Sequence, residues 1–398
     1  MEATKRVKEI APSLTLEISA KAKKMKAEGI SVIGFTAGEP DFNTPDYIIE
    51  SAKKALDIGF TKYTPASGMQ ELKEAVCKKL KKDNNLEYTP AQIVVSSGAK
   101  SSLYHAICAI VEEGDEVIIP SPYWLTYPEL VKLAGGKCVY VETAKENGYK
   151  ITAEQLKNAI TDKTTCIILN SPNNPTGALY SKQELIELAK VIEEKQINVV
   201  SDEIYEKLVY DEQEFYSIAQ YSEYLKEHTV VVNGMSKSYS MTGWRIGYLA
   251  APLKIAKAIS SMQSHTTSNP CSIAQYASVT ALTNSESDNF IENMKRIFDE
   301  RRKFMVESLK QIPEIQVVTP QGAFYVFVNV SNLYGKKYKD REITGSLSFA
   351  DCLLEAGVAL IPGIAFGDDD SVRLSYCVSL DDIKEGVDRL KKFISEVK

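Results

Sequence analysis

Lys237 begins a polar segment that could present an amine for covalent chemistry. The segment, residues 236–248, follows one apolar strand-like run and leads into a second, and Arg245 comes eight residues after the lysine. A lysine at a strand end is either a solvated loop charge or a nucleophile that forms a Schiff base with a carbonyl compound. Because the chain is rich in lysine, the first interpretation is the default. The second requires partners elsewhere in the sequence.

Other polar groups follow the apolar runs that precede this segment. They are Gly98, Ala99 and Lys100 at the start of a helical pattern, Trp124 in a proline-rich loop, Asn174 in a proline-framed turn, and Asp202 with Tyr205 three residues later. A helix start with small residues can seat an anion such as a phosphate. Taken singly, these groups are explained as well or better by an N-cap, a lid over the core and a turn without a ligand.

Jointly, these groups describe one surface that suits a phosphorylated heteroaromatic aldehyde. Lys237 would form the Schiff base, and Asp202 would keep a ring nitrogen protonated. The amide and the phenol would hold a ring oxygen, the indole would stack on the ring, and the helix start with Arg245 would neutralise the phosphate. An aspartate that follows two valines is expected to be partly buried, so it needs a cationic partner.

Between residues 92 and 250, short apolar runs alternate with helical patterns. The runs lie at 92–96, 116–119, 138–141, 165–169, 197–201, 229–233 and 245–250, and the helical patterns at 99–111, 125–134, 153–160 and 182–195. This alternation predicts an α/β fold with a mostly parallel sheet covered by helices on both faces. Ligands of such sheets bind beyond the carboxyl ends of the strands, which is where the polar groups fall.

The C-terminal part of the chain, completed by residues 16–45, predicts a second, smaller α/β domain. Before residue 92, the expected elements are an irregular arm over 1–13, a helix to about residue 28, a strand over 31–35, and helices over 46–57 and 69–82. After residue 253, they are a long helix over 288–311, strands over 323–330, 358–361 and 372–376, a helix over 346–355 and a final helix from Leu380. The predicted organisation is an N-terminal arm over 1–15, a small domain over 16–45 plus 290–398, and a large cofactor-binding domain over 46–289.

Composition narrows the class of protein. The chain has 398 residues, 44% hydrophobic and 25% charged, with a net charge of −6, which argues against nucleic acid as the main partner. No apolar run is long enough for a membrane span, and the first residues lack the apolar core of a signal peptide. The seven cysteines and three histidines show no metal-ligand spacing, so we expect no metal and a cytoplasmic location. The lysine run over 78–82 is interpreted as a solvated helix face.

The motifs together resemble those of the class I aminotransferases that depend on pyridoxal phosphate, within the bacterial branch of the aspartate aminotransferase family. The resemblance covers essentially the whole chain. It rests on Gly38-Glu39-Pro40-Asp41-Phe42, Tyr63-Thr64-Pro65, Ser97-Gly98-Ala99-Lys100, Pro122-Tyr123-Trp124, Asn173-Asn174-Pro175-Thr176-Gly177, Ser201-Asp202-Glu203-Ile204-Tyr205, and Ser236-Lys237 through Arg245-Ile246-Gly247-Tyr248. It implies the fold of pyridoxal-phosphate-dependent transferases, that cofactor and a homodimer.

The resemblance also implies a role for each matching residue. Lys237 would hold the cofactor as a Schiff base and later shuttle a proton, and Asp202 would pair with the ring nitrogen. The other expected contacts are Asn174 and Tyr205 at the ring hydroxyl, Trp124 on the ring, and Gly98, Ala99, Lys100 and Arg245 around the phosphate, joined by Tyr63 from the other subunit. Ser236 is also expected to bind the cofactor. Gly38 and Arg373 would bind the substrate α-carboxylate, with Trp124 and Asn174 also lining the substrate position.

The implied reaction moves an amino group from an L-amino acid, with aspartate as the best single choice, to an oxo acid such as 2-oxoglutarate. In another branch of the family, an arginine recognises the side-chain carboxylate, and Ser264 stands at that position here. Some relatives that accept prephenate carry a lysine where this chain has Ala11. The alternatives are an aminotransferase for alanine or aromatic amino acids, a carbon–sulfur β-lyase, and a regulator that would need an additional DNA-binding segment.

Overall fold

The computed structural model describes residues 1–398, apart from the side chain of Arg6. Its strands, in chain order, are β1 (Ile33–Gly34), β2 (Ile93–Ser96), β3 (Glu116–Ser121), β4 (Lys137–Glu142), β5 (Thr164–Asn170), β6 (Asn198–Asp202), β7 (Thr229–Gly234), β8 (Gly247–Ala250), β9 (Gln316–Val317), β10 (Tyr325–Asn329), β11 (Lys337–Tyr338), β12 (Arg341–Glu342), β13 (Val358–Ala359), β14 (Ile361–Pro362) and β15 (Ser371–Ser375).

Fourteen α-helices are present in the described chain. They are α1 (Lys5–Lys8), α2 (Leu14–Ala27), α3 (Asp46–Asp57), α4 (Gln70–Asn84), α5 (Ala99–Ile110), α6 (Thr126–Ala134), α7 (Ala153–Ala159), α8 (Lys182–Lys195), α9 (Glu223–His228), α10 (Leu253–Thr266), α11 (Ser272–Thr283), α12 (Glu286–Lys310), α13 (Ser346–Glu355) and α14 (Leu380–Glu396). Among the described residues, no helix combines the length and the apolar character needed to cross a lipid bilayer.

A seven-stranded sheet forms the centre of the larger part of the molecule, in the order β2-β8-β7-β6-β5-β3-β4. Strands β3 to β7 pair in parallel, and only β8 runs antiparallel to its two neighbours. Strand β5 shows why these runs are apolar throughout: Ile168 packs in the core on one face, and Ile167 and Leu169 pack in the core on the other. The predicted mostly parallel sheet, covered on both faces, is confirmed.

The C-terminal part builds a second core around a four-stranded antiparallel sheet, β14-β15-β10-β9. Helices α12, α13 and α14 contribute to this core, as Phe298, Phe349 and Phe393 show. Strand β1 joins it from the N-terminal region, because Ile33 pairs in parallel with Val358 of β13. The long helix α12 contributes to both halves, and the exact domain bounds stay a prediction.

The structure corrects several local predictions. Residues 5–8 form a short helix within the arm that was expected to be irregular. The predicted strand over 358–361 is two strands, because β13 pairs with β1 while β14 pairs with β15 in the antiparallel sheet.

The interpretation of the lysine run over 78–82 as a solvated helix face is wrong for Lys79. Lys79 is only 8% exposed, because it lies on the same face of α4 as the buried Val76 and Leu80. Its ammonium group donates to Asn84 Oδ1 at 2.7 Å and forms an ion pair with Glu206. The buried charge is therefore compensated by its partners.

Candidate active site

A cavity of about 560 Å³ opens where the carboxyl ends of β5 and β6 meet the start of α5 and the second core. The predicted site residues that line it are Gly38, Ala99, Lys100, Trp124, Asn174, Asp202, Tyr205, Ser236, Lys237, Arg245 and Arg373. Gly98 caps the helix that forms one wall. Tyr63 does not line the cavity; its side chain is 90% exposed on the surface.

Lys237 follows β7 and extends into this cavity. Its Nζ donates to the carbonyl oxygen of Gly38 and lies 5.7 Å and 5.5 Å from the ring centres of Tyr205 and Phe324. Burial lowers the pKa of the amine to about 8, and the nearby charge of Arg373 acts in the same direction. A larger fraction of this lysine is therefore neutral near pH 7 than of an ordinary lysine, as a nucleophilic amine requires.

Asp202 ends β6 and is 3% exposed. The phenol of Tyr127 donates to its Oδ2 at 2.7 Å, and the backbone N–H of Ile204 donates to Oδ1 at 3.3 Å. Burial raises the pKa of the carboxyl group to about 6, while both hydrogen bonds oppose that rise. No ion pair within the described chain neutralises Asp202, so the carboxylate suits a cationic group placed in the cavity.

Two asparagines and two tyrosines link the segments around Asp202 to the neighbouring loop and strand. Asn170, at the end of β5, donates to the backbone oxygen of Asp202 at 3.0 Å and accepts from the backbone N–H of Asn174 at 2.9 Å. The hydroxyl groups of Tyr205 and Tyr325 lie 2.9 Å apart. These contacts set the positions of the amide and the phenol, the two groups predicted to bind a ring oxygen.

Arg373, in the middle of β15, is buried without a carboxylate partner in the described structure. It is 3% exposed, and its guanidinium carbon lies 4.4 Å from the ring centre of Tyr325. Nη1 donates to Asn174 Oδ1 at 2.9 Å, Nη2 donates to the carbonyl oxygen of Thr36 at 3.2 Å, and Nε has no partner. A desolvated guanidinium with a free donor beside a cavity is well suited to a carboxylate ligand.

The start of α5 forms the predicted anion seat. Its N-cap, Gly98, has φ +86°, and a Cβ there would lie 2.2 Å from Arg245 Nη2. A Cβ on Gly247 would lie 2.2 Å from the backbone nitrogen of Ala99. The positive φ of Gly98 and the close backbone contact at Gly247 both favour glycine. The Arg245 guanidinium thereby lies beside the free N–H groups of a helix start. This donor set fits a phosphate.

Lys100 and Trp124 line the same wall of the cavity. The Nζ of Lys100 lies 4.8 Å from the centre of the indole ring, and burial together with the charge of Arg245 lowers the pKa of the lysine. The indole packs edge-on against Tyr127 with ring centres 5.5 Å apart. The structure thus brings the predicted aromatic residue and the predicted cations to one wall.

Tyr127, Asn170 and Tyr325 were not identified from the sequence. Tyr127 lies in the first turn of α6, three residues after Trp124. Asn170 stands at the end of the apolar run 165–169, so its strand-end position was a signal. Tyr325 lies inside a strand-like run in the C-terminal part, and nothing in its local sequence distinguishes it from core.

The class of protein that this site indicates is an α/β enzyme that uses a phosphorylated cofactor. The indication comes from the amine, the buried carboxylate, the phosphate seat and the unpaired guanidinium. The model of the family described as aminotransferase class I and II matches residues 30–390, and the chain belongs to this family. It is similar to the aspartate aminotransferases of Bacillus sp. strain YM-2 (52% identity, 98% of each chain) and Bacillus subtilis strain 168 (50% identity, 100% of each chain). It is also similar to the structure of Thermus thermophilus aspartate aminotransferase with maleate, with a TM-score of 0.94, 41% identity, and 99% of this chain and 100% of that chain covered.

The protein is therefore a pyridoxal-phosphate-dependent aminotransferase, and the resemblance stated from its motifs is confirmed at the level of fold, enzyme class and cofactor. The cavity fits that cofactor: Gly98 and Arg245 match its phosphate, Asp202 matches a protonated ring nitrogen, and Lys237 matches its aldehyde. The role of each residue remains a proposal.

Glu203, next to Asp202, lies in a buried polar cluster behind the cavity. It is 1% exposed, and its Oε1 accepts from the hydroxyl groups of Ser201 at 2.9 Å and Ser217 at 2.5 Å. Its Oε2 has no partner. Burial, together with the nearby Glu206, raises the pKa of this carboxyl group to about 7.

We expect Glu203→Gln to change how stability depends on pH. The raised pKa means that the native state favours the protonated carboxyl group of Glu203. The contribution of this group to the free energy of unfolding is therefore complete below about pH 4.5 and is lost as pH rises through 7. Glutamine stays neutral, so the variant should gain about 1–3 kcal/mol over the native protein between pH 5 and pH 8. Urea denaturation at one protein concentration measures this difference. The exposed Glu113→Gln variant is the control, and parallel pH profiles for native protein and Glu203→Gln would contradict the expectation.

Proposed function

We propose that this enzyme transfers the amino group of L-aspartate to 2-oxoglutarate. The observation that carries the proposal is Arg373, a buried guanidinium that has no carboxylate partner and contacts Asn174 inside the cavity that holds Lys237. A two-pronged donor next to a reactive amine is the arrangement that binds an α-amino acid by its carboxylate and directs its amino group inward. The names of the relatives support aspartate as the donor.

The residues of the cavity divide the work of the exchange. Pyridoxal phosphate, when bound, supplies an aldehyde carbon for the amino group and a ring that accepts the electron pair released from the substrate Cα. Lys237 would hold the cofactor and, once displaced by the substrate amine, would move a proton from the substrate Cα as a free base. Its pKa near 8 suits this task near neutral pH. Asp202 would keep the ring nitrogen protonated, and Arg373 would fix the orientation of Cα.

Recognition of the aspartate side chain must use groups other than the one at position 264. Ser264 is exposed, and its hydroxyl donates to the backbone oxygen of Ser261 at 2.7 Å. Two lysines that are not assigned to the cofactor also line the cavity, namely Lys23 and Lys26 on α2. This excess of positive charge favours a substrate with two carboxylates over alanine or an aromatic amino acid.

We also propose that the enzyme acts as a homodimer in the cytoplasm. Tyr63 is exposed in a single chain, although the motif to which it belongs implies a contact with the cofactor phosphate; a contribution to the partner's cavity explains both observations. All seven cysteines are free, which supports a reducing compartment.

A screen of amino donors against 2-oxoglutarate tests the proposed reaction. Aspartate should give the highest kcat/KM, and alanine and phenylalanine should be at least about 10-fold poorer, because they leave the additional positive charge unpaired. Formation of glutamate is the measurement. If cystathionine releases pyruvate and ammonia with no exchange of oxo acids, the enzyme is a β-lyase and the proposal is wrong. A preference for alanine or phenylalanine would assign another donor.

A further inference from the structure

Two fully buried glutamines hold the loop that carries Tyr63. The loop, residues 60–69, leads from α3 to α4, and Gln263 and Gln275 lie on the successive helices α10 and α11 beneath it. Both side chains are 0% exposed. A buried amide is costly unless its donors and acceptor are paired. Both polar atoms of the Gln275 amide are bonded, whereas Gln263 is bonded through Nε2 and its Oε1 has no partner.

Gln275 is hydrogen-bonded to both ends of the segment 64–69 of the loop. Its Oε1 accepts from the backbone N–H of Met69 at 2.8 Å, and its Nε2 donates to Thr64 Oγ1 at 2.9 Å. The same Nε2 donates to the carbonyl oxygen of Pro270, also at 2.9 Å. One side chain therefore ties the residue next to Tyr63 to the start of α4.

Gln263 holds the middle of the loop against the central sheet. Its Nε2 donates to the carbonyl oxygens of Ala66 at 2.5 Å and Val95 at 2.7 Å. The backbone N–H of Val95 in turn donates to the carbonyl oxygen of Ser67 at 3.0 Å. Gly68, with φ +99°, lets the chain pass close to Val95, since a Cβ there would lie 2.6 Å from Val95 Cγ2.

The loop thus has three backbone groups, those of Ala66, Ser67 and Met69, and the hydroxyl of Thr64 held by hydrogen bonds, while the phenol of Tyr63 points to solvent. Ordering a loop when a ligand binds costs conformational entropy, and a loop that is ordered beforehand avoids that cost. An aromatic side chain presented on such a loop is organised for contact with another molecule rather than with its own core.

We infer that Gln263 and Gln275 are positioning residues for Tyr63, which set the place of its phenol for the cofactor phosphate of a second copy of this chain. The inference rests on the proposed homodimer and on the proposed contact of Tyr63. It adds that the strength with which one subunit holds the cofactor depends on two buried amides in the other subunit.

A double-mutant cycle on cofactor binding tests the inference. The apoenzyme of the native protein, Tyr63→Phe, Gln275→Leu and the double variant is titrated with pyridoxal phosphate, and tryptophan fluorescence gives Kd; sedimentation confirms the same oligomer. Tyr63→Phe should weaken binding about 10-fold, because it removes a hydrogen bond to a charged group. Gln275→Leu should weaken binding roughly 3- to 10-fold in the native background and less than about 2-fold when Tyr63 is already phenylalanine.

Two further variants separate positioning from general stability. Ser278→Ala, one turn along α11, removes a buried hydroxyl that bonds only within the helix, to Ala274, and should leave Kd unchanged. Thr64→Val removes the hydroxyl that Gln275 holds; it should reproduce the effect of Gln275→Leu on Kd, and it provides the test if that variant does not fold.

The outcomes separate the positioning role of the two glutamines from the proposed contact of Tyr63 across the dimer. If Tyr63→Phe binds the cofactor as tightly as the native protein, the contact across subunits is wrong. If Tyr63→Phe weakens binding while Gln275→Leu has no effect, or has an equal effect in both backgrounds, the positioning role is overturned and the proposed dimer stands.

Discussion

Lys237→Ala is expected to abolish amino-group exchange, with a loss of at least about 10⁴-fold in kcat, because in the proposed mechanism this side chain provides both the covalent attachment and the base. The variant should still bind pyridoxal phosphate through Asp202 and the phosphate seat, since neither depends on the amine. The absorbance of the lysine-linked cofactor should be absent, and reduction with borohydride should not fix the cofactor to the chain. Absorbance spectra and mass spectrometry measure these two properties.

Lys100→Ala is the matched control, because Lys100 lines the same cavity and its pKa is also lowered by burial. This variant should retain covalent attachment of the cofactor. In the native apoenzyme, attachment should become faster as pH rises from 6, reach half its limiting rate near pH 8 and level off above about pH 9, because half of the Lys237 amine is neutral at its pKa. Turnover retained by Lys237→Ala, or attachment that reaches half its limiting rate only near pH 10, would contradict the assignment.

Arg373→Ala is expected to lower kcat/KM for the amino acid by roughly 10²- to 10⁴-fold while changing the Kd of pyridoxal phosphate by less than about 3-fold. The guanidinium has no carboxylate partner in the protein, and it contacts Asn174 and Thr36 rather than the phosphate seat. This arrangement supports the proposed role of Arg373 in binding the substrate. Steady-state kinetics with aspartate, together with titration of the apoenzyme, separate the two effects.

Arg373→Lys tests whether geometry or charge is required. Lysine keeps the charge but lacks the planar pair of donors, so this variant should fall between the native enzyme and Arg373→Ala. The thermal stability of Arg373→Ala provides an independent check. This variant removes a buried charge that has no ion-pair partner, so it should not destabilise the fold as loss of a structural ion pair would. Equal losses in substrate and cofactor binding would show that Arg373 supports the cavity as a whole.

Local sequence predicted most helices and strands because the signals that end them are local. Helix α8 was expected over 182–195 and occupies those residues, with Ser181 accepting from the N–H of Glu184 at its start. The strand ends were predicted for the same reason, since an apolar run ends where polar residues begin. Adjacent parallel strands then place Asn170 and Asp202 side by side, which explains why the strand-end rule found much of the site.

The parts that were missed depend on contacts between distant segments. Lys79 was read as solvated, although α4 packs with Leu72, Val76 and Leu80 inward and carries the lysine to Glu206, 127 positions later by residue number. Tyr325 reaches Tyr205 only because the second core packs against the central sheet. Neither contact leaves a periodic pattern in the sequence.

The amino-acid sequence by itself determined the family, the α/β alternation and the candidates for the covalent amine, the ring-nitrogen partner and the phosphate seat, because each belongs to a short motif at a strand or helix end. Only the tertiary structure decided which side chains lose water. Burial lowers the pKa of Lys237 to about 8 and raises that of Asp202 to about 6. It also leaves Arg373 with an unpaired donor in the cavity. These properties come from desolvation by segments far apart in the chain, and desolvation is a property of the packed molecule.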